Sequence, residues 1–317
     1  MKFWELREPP GSDYKHVAIS GKLDHPFRLP RAECDVCGAT VDTWGTVLPY
    51  ECPASMRNHP LLADHDAKIS MKEFRKLERD IVAQLRKTGV KKPKLIPSAA
   101  LQPCFLDVPS IPKADFLWSD LWNGFGSIVI GERVRKVLFE ETKGKGIAFY
   151  PIELRKVGRR RATSPPRIPK SGEPEDMMDS YPVGDRPVAA GPYSQLFVTA
   201  HSGYPPGTEP GPACEVCGEA LERDLKRWSS QKEAWKKLTP EILESVWDGS
   251  PIFRLSGQGS TVLVTDPMKN RLEAIQATNV SFRVYPMVHL NAVSRTCFAS
   301  RRAWIRALKK ARDADQA

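Results

Sequence analysis

The sharpest hydrophobic pattern in the chain is Phe74, Leu77, Ile81 and Leu85, at spacings of three and four among Lys, Arg, Glu and Asp. That period belongs to an α-helix with one buried face. Ser70 followed by Glu73 forms a capping box and Gly89 stands at the stop, so the pattern predicts a helix over residues 70–88. Two short aliphatic runs, Ile128-Val129-Ile130 and Val262-Leu263-Val264, have the length of buried strands. Each leads into a polar, acidic helix start, about three turns of helix, and a second strand. The second strands run from Gly146 to Ile152 and from Asn279 to Met287, and they carry Tyr-Pro-Ile and Tyr-Pro-Met. In the later copy Asp266 before Pro267 reads as a cap followed by the first helical residue. Upstream of each unit lies a Trp with a nearby Gly: Trp118 and Trp122-Asn123-Gly124, then Trp247-Asp248-Gly249. A further helix is predicted over 239–246, with Thr239 as cap and Pro240 first. Short strands are predicted at 3–6 and 193–199, and a hairpin turn over Gly257 to Thr261.

A second kind of repetition coincides with the first. Cys34-Asp35-Val36-Cys37-Gly38 and Cys214-Glu215-Val216-Cys217-Gly218 are both Cys-acid-Val-Cys-Gly. Two thiols three residues apart can grip one ion, and Gly lets the chain turn after the second sulfur. The chain therefore reads as an α+β protein of two related halves. Each half has a first strand, a CxxCG knuckle, helical material and a strand–helix–strand unit. The boundaries are residues 1–157 for the first half, 158–187 for an Arg/Pro-rich linker and 188–290 for the second half. A basic C-terminal helix follows at 291–317, with Trp304, Ile305, Leu308 and Ala311 on one side. It reads as a terminal helix packing its Trp on the body, with partner binding as the alternative.

Composition sharpens this picture at two points. The 317 residues and 41% apolar content suffice for a real core, and no apolar run is long enough to span a membrane. The start, with Glu5 and Glu8 and no apolar run, does not read as a signal peptide, so a cytoplasmic location is the default. The net charge of +10 resembles a nucleic-acid signal until it is located. Seven Lys/Arg and no acid lie between Arg155 and Lys170, and another seven with no acid between Arg295 and Arg312. Outside those segments acids outnumber bases, 38 to 34.

The candidate chemistry is in the cysteines. Cys34, Cys37, Cys214 and Cys217 can supply the four sulfurs of one structural zinc site. The alternatives are a redox CxxC pair and metal-free thiols. From Cys37 to Cys214 is 177 positions, so one shared site requires the halves to meet knuckle to knuckle. The zinc would then clamp them together, with no open coordination position and no catalysis. Cys52, Cys104 and Cys297 have no CxxC partner and read as small buried hydrophobes. His59 and His65, with Asp64 and Asp66, read as a polar turn rather than a metal site. Neither GxxxxGK[ST] nor GxSxG occurs, which lowers the case for an enzyme.

The doubled CxxCG with two strand–helix–strand units resembles the double-CXXCG motif proteins that occur as paralogues in myxobacteria. The match includes the N-terminal strand with Arg7-Glu8-Pro9, both knuckles, the stretch from Trp247 to Gly257, and Asn279-Val280-Ser281-Phe282. The Arg/Pro-rich linker and the basic extension beyond Met287 depart from that pattern. Members of that family look like immunity proteins of swarming-inhibition toxin pairs. The resemblance implies a cytoplasmic, non-catalytic protein that binds and neutralises a cognate polymorphic toxin. Inhibitors that mimic DNA are acidic, and this chain is not. The expected partner is therefore a toxin other than a typical basic nuclease, or one bound through a locally acidic patch. The other class of reading is a zinc-ribbon-like nucleic-acid-binding protein that uses the basic segments.

Overall fold

A computed structural model describes residues 1–9, 22–41, 48–64, 66–108, 112–118, 128–156, 186–187, 192–210, 213–218, 234–235, 237–256 and 261–285. In chain order the first elements are β1 (Phe3–Arg7), β2 (Lys22–Asp24), β3 (Phe27–Arg28), β4 (Arg31–Glu33), β5 (Thr40–Val41), α1 (Pro60–Ala63), β6 (Lys68–Ser70) and α2 (Met71–Lys87). Next come β7 (Ala100–Leu101), β8 (Phe105–Val108), β9 (Phe116–Trp118), β10 (Ile128–Gly131), α3 (Glu132–Thr142), β11 (Ile147–Lys156) and β12 (Arg186–Pro187). The last are β13 (Tyr193–Val198), α4 (Pro240–Val246), β14 (Ile252–Arg254), β15 (Val262–Thr265), α5 (Asp266–Ala274) and β16 (Ser281–Tyr285). The protein is mixed α/β, as an α+β reading requires.

Two sheets dominate. One has the order β14-β15-β1-β16, and the larger one β2-β8-β11-β13-β10-β9 with β12 beside β11. The N-terminal strand β1 therefore lies far from its sequence neighbours. It is antiparallel to β15 on one side and to β16 on the other. In the same way β13 lies between β10 and β11, antiparallel to both. The strand–helix–strand units are thus split: the later one takes the N-terminal strand into its gap, and the earlier one takes β13, which follows it in the chain. The units pack against each other through their helices. Val134, Val137 and Leu138 of α3 and Met268 and Leu272 of α5 share a core with Leu6, Leu196, Ile130 and Val264.

The predicted helix over 70–88 is α2. Ser70 Oγ accepts from Glu73 N–H and Glu73 carboxylate accepts from Ser70 N–H, the two halves of the capping box. Phe74, Leu77, Ile81 and Leu85 are buried as the stripe requires, and Met71 joins them. Gly89, at φ +93, ends the helix. The helix closes a small module over Leu29, Ala32, Val41, Cys52, Leu62, Leu95 and Leu101. Within this module β4 lies between β5 and β6, and this three-stranded sheet carries the first knuckle.

Several sequence expectations shift in register. Thr239 caps α4 and Pro240 opens it, as expected. At α5 the cap is Thr265, one residue earlier than expected, and its side chain makes no capping bond. Asp266 is instead a first-turn acid whose Oδ1 accepts from Trp4 Nε1 at 2.5 Å, so tertiary structure takes the carboxylate that local rules give to the helix. The Tyr-Pro endings do not correspond. Phe3 faces Tyr285 and Tyr193 faces Ile152, which aligns Tyr285 with Ile152, two positions past Tyr150. Trp247-Asp248-Gly249 precedes β14, and Trp122-Asn123-Gly124 lies outside the described residues. β14 and β15 pair as the predicted hairpin, and Gly257 to Ser260 lie outside the described residues, as do the segments 158–185 and 291–317. Among the described residues, no helix is long and apolar enough to cross a membrane.

Candidate metal centre

The first knuckle is the turn between β4 and β5. Cys34 leaves β4 with its N–H donated to Ala39 carbonyl at 2.9 Å, and Gly38 N–H donates back to Cys34 carbonyl at 2.8 Å. The second knuckle repeats this closure, Gly218 N–H to Cys214 carbonyl at 2.7 Å. Gly38 is at φ +70 and Gly218 at φ +78, with nothing within 4 Å of where a Cβ would stand. Glycine is needed here for its backbone angle and not for space.

The two turns meet, although 177 positions separate Cys37 from Cys214. Cys34 Sγ lies 3.9 Å from Cys214 Sγ, and Cys37 Sγ lies 3.6 Å from Cys217 Sγ. The four ligand atoms all lie within 4.8 Å of one another, an arrangement that could hold one metal ion. All four thiols are free of disulfides. Cys34 and Cys214 are buried, at 1% and 3% exposure, while Cys37 and Cys217 are half-buried. Cys217 packs against the core of the small module built on α2, so the second knuckle rests on the body of the first. Among the described residues, this is the one group of three or more metal-ligating side chains found together.

The electrostatics suit a cation. Backbone N–H groups of Cys217 and Val216 point at Cys214 Sγ and hold its thiol down at about 7. At Cys37 the N–H of Ala39 also favours the thiolate, but removal from water and the neighbouring thiols Cys34 and Cys214 leave its pKa above the ordinary value. Four sulfurs this close cannot all carry negative charge unless a positive ion stands among them.

The other candidate residues resolve differently. Cys52 and Cys104 are buried, as read from the sequence. Burial pushes the Cys52 thiol up to about 11. Cys104 Sγ lies 3.5 Å from His25 Nε2, a contact that no local spacing announces. Burial, and then the charge of Asp24, pushes the Cys104 thiol far up, so the pair is not an activated thiolate. Cys297 and His65 lie outside the described residues. Asp64 Oδ1 accepts from Asp66 N–H at 3.0 Å, the polar turn expected there.

Arg155, which opens the first basic run, belongs to the folded body, where it pairs with Asp107 at 2.8 Å and Asp24 at 2.5 Å. Its guanidinium also lies 4.2 Å from the centre of the Phe105 ring. The signal that could have pointed to this is the alternation along 147–156, which carries the strand past Ile152 to Lys156.

In comparisons with known proteins, no family model matches this chain and no curated protein matches it.

Proposed function

We propose that this protein is a non-catalytic immunity protein that binds and neutralises a cognate polymorphic toxin in the cytoplasm, with one structural zinc ion held by Cys34, Cys37, Cys214 and Cys217. The four-sulfur cluster supports the metal part of this reading, and the immunity part rests on the resemblance of the doubled CxxCG pattern. Zinc–thiolate bonds of about 2.3 Å place the sulfurs of a tetrahedral site about 3.8 Å apart. The two cross-knuckle distances, 3.9 and 3.6 Å, fall on either side of that value. Sulfur fills all four positions, which leaves none for water or substrate and makes the ion structural. Each of two related halves supplies one knuckle, and the ion clamps them.

Binding rather than turnover also suits the knuckle tips. Val36 and Val216 occupy the same place in the two turns, and both are exposed, at 69% and 44%. The exposed acids Asp35 and Glu215 precede them. An apolar pair between acids, on turns fixed by a metal, suits a partner surface with an apolar hollow rimmed by Lys or Arg. It also supplies the locally acidic patch that a basic chain needs for such a partner.

The test is protection. Polymorphic toxin domains encoded in the same genome are expressed alone and together with this chain, and growth and co-purification are followed. Rescue with a one-to-one complex is the expected result; no rescue and no complex overturns the reading. The alternative, a zinc-ribbon-like nucleic-acid-binding protein, rests on the +10 charge concentrated in two segments. It requires DNA or RNA affinity that falls steeply with salt and that is lost when Arg159, Arg160 and Arg161 become Ala.

A further inference from the structure

The two split units correspond beyond their knuckles. The run β14-β15-β1-β16 and the run β9-β10-β13-β11 have the same order, and every neighbouring pair is antiparallel. Their registers coincide as well. Phe3 faces Thr265, the residue that caps α5, and Tyr193 faces Gly131, the residue that caps α3. Thr265 N–H donates to Pro251 carbonyl at 3.0 Å, and Gly131 N–H to Asp115 carbonyl at 2.8 Å. Two left-handed residues three positions apart follow each helix: Lys143 and Gly146 after α3, Gln276 and Asn279 after α5. The shared core is filled in matching pairs, Leu6 with Leu196, Ile128 with Val262, Ile130 with Val264, and Phe116 with Ile252.

In both units the foreign strand is interior. β1 bonds to β15 through three residues and to β16 through five, so without it the sheet would part in the middle. β13 does the same for β10 and β11. An interior strand with both edges occupied is much harder to detach than an edge strand. Three further ties cross in the same direction. Two of the four clustered sulfurs come from each half. Asp115 Oδ2 accepts from both the N–H and the Oγ1 of Thr278 at 3.0 Å. Asn279 Nδ2 donates to Phe116 carbonyl at 2.8 Å, while Trp118 Nε1 donates to Asn279 carbonyl at the same distance. None of these ties involves residues 158–185.

We infer that the two halves of this chain are each other's binding partner, a strand-exchanged pair that only happens to be joined, and that they remain bound as two separate polypeptides once the connection is cut. The partner surface of each half is the gap between its own two parallel strands, together with two cysteines. This goes beyond the proposed function and does not depend on it.

The test uses the full chain with a site-specific protease sequence inserted after Lys170. The folded protein is purified, cut, and examined by native mass spectrometry and size exclusion. The expected result is a single one-to-one species with the metal content of the uncut chain. Amides of Trp4, Leu6 and Leu196 should be as protected from hydrogen exchange as before the cut. Isotopically labelled and unlabelled cut proteins, mixed without denaturant, should form no mixed species. Fragments that separate in native buffer, or that trade partners freely, would overturn the inference.

Discussion

At the scale of single residues, the knuckles divide the labour between sulfur and glycine. Cys34→Ser and Cys214→Ser each remove one corner of the same cluster. They are expected to lose the bound metal to the same extent and to lower stability by similar amounts, roughly 4 kcal/mol or more. Metal analysis beside denaturant melts checks this, and a large difference between the two would argue for separate sites. Gly38→Ala is expected to cost about 1–2 kcal/mol through the left-handed backbone alone, because the added methyl meets nothing. The Cys214 thiol gives a pH signature. Its pKa is lowered from 9.0 to about 7 in the folded, metal-free chain. Its contribution to stability is therefore fully present above pH 9 and is lost as the pH falls through about 7. An ultraviolet titration of the metal-free protein should show a first thiolate near that lower value, and Cys214→Ser should abolish the step.

At the scale of elements, local signals decided the helices, and long-range contacts decided what their ends do. The capping box of α2 was written in Ser70 and Glu73, and it forms. Ser70→Ala should cost about 1 kcal/mol, and Phe74→Ala, from the buried stripe, about 3–5 kcal/mol. Chemical melts of the two variants would rank them, and an equal cost would mean that α2 does not carry the core of the small module. The start of α5 shows the limit of local reading. Asp266 before Pro267 has the chemistry of a cap, yet its carboxylate meets Trp4, 262 residues away. A half-buried indole N–H has a stronger claim on an acceptor than helix N–H groups open to water.

At the scale of the whole molecule, the four-cysteine cluster, the interior strands β1 and β13 and the shared core tie the N-terminal and C-terminal parts together. If the proposed function holds, Val36→Asp with Val216→Asp is expected to leave metal content unchanged and to weaken the proposed toxin complex at least tenfold. An unchanged affinity, measured by titration calorimetry, would move the contact elsewhere on the body without touching the protection result.

The chain by itself determined what depends on near neighbours: the helix over 70–88, the cap at Thr239, the aliphatic strands and the two CxxCG turns. Each rests on spacings of a few residues, where backbone geometry and side-chain type suffice. It also announced four cysteines fit for one ion, because two matching knuckles supply a full tetrahedral set. Tertiary structure alone decided that β1 fills the gap between β15 and β16 while β13 fills the gap between β10 and β11. A strand's pattern states that one face is buried and leaves open which strands lie beside it. Backbone hydrogen bonds are the same for every partner, so the choice fell to packing across the whole core.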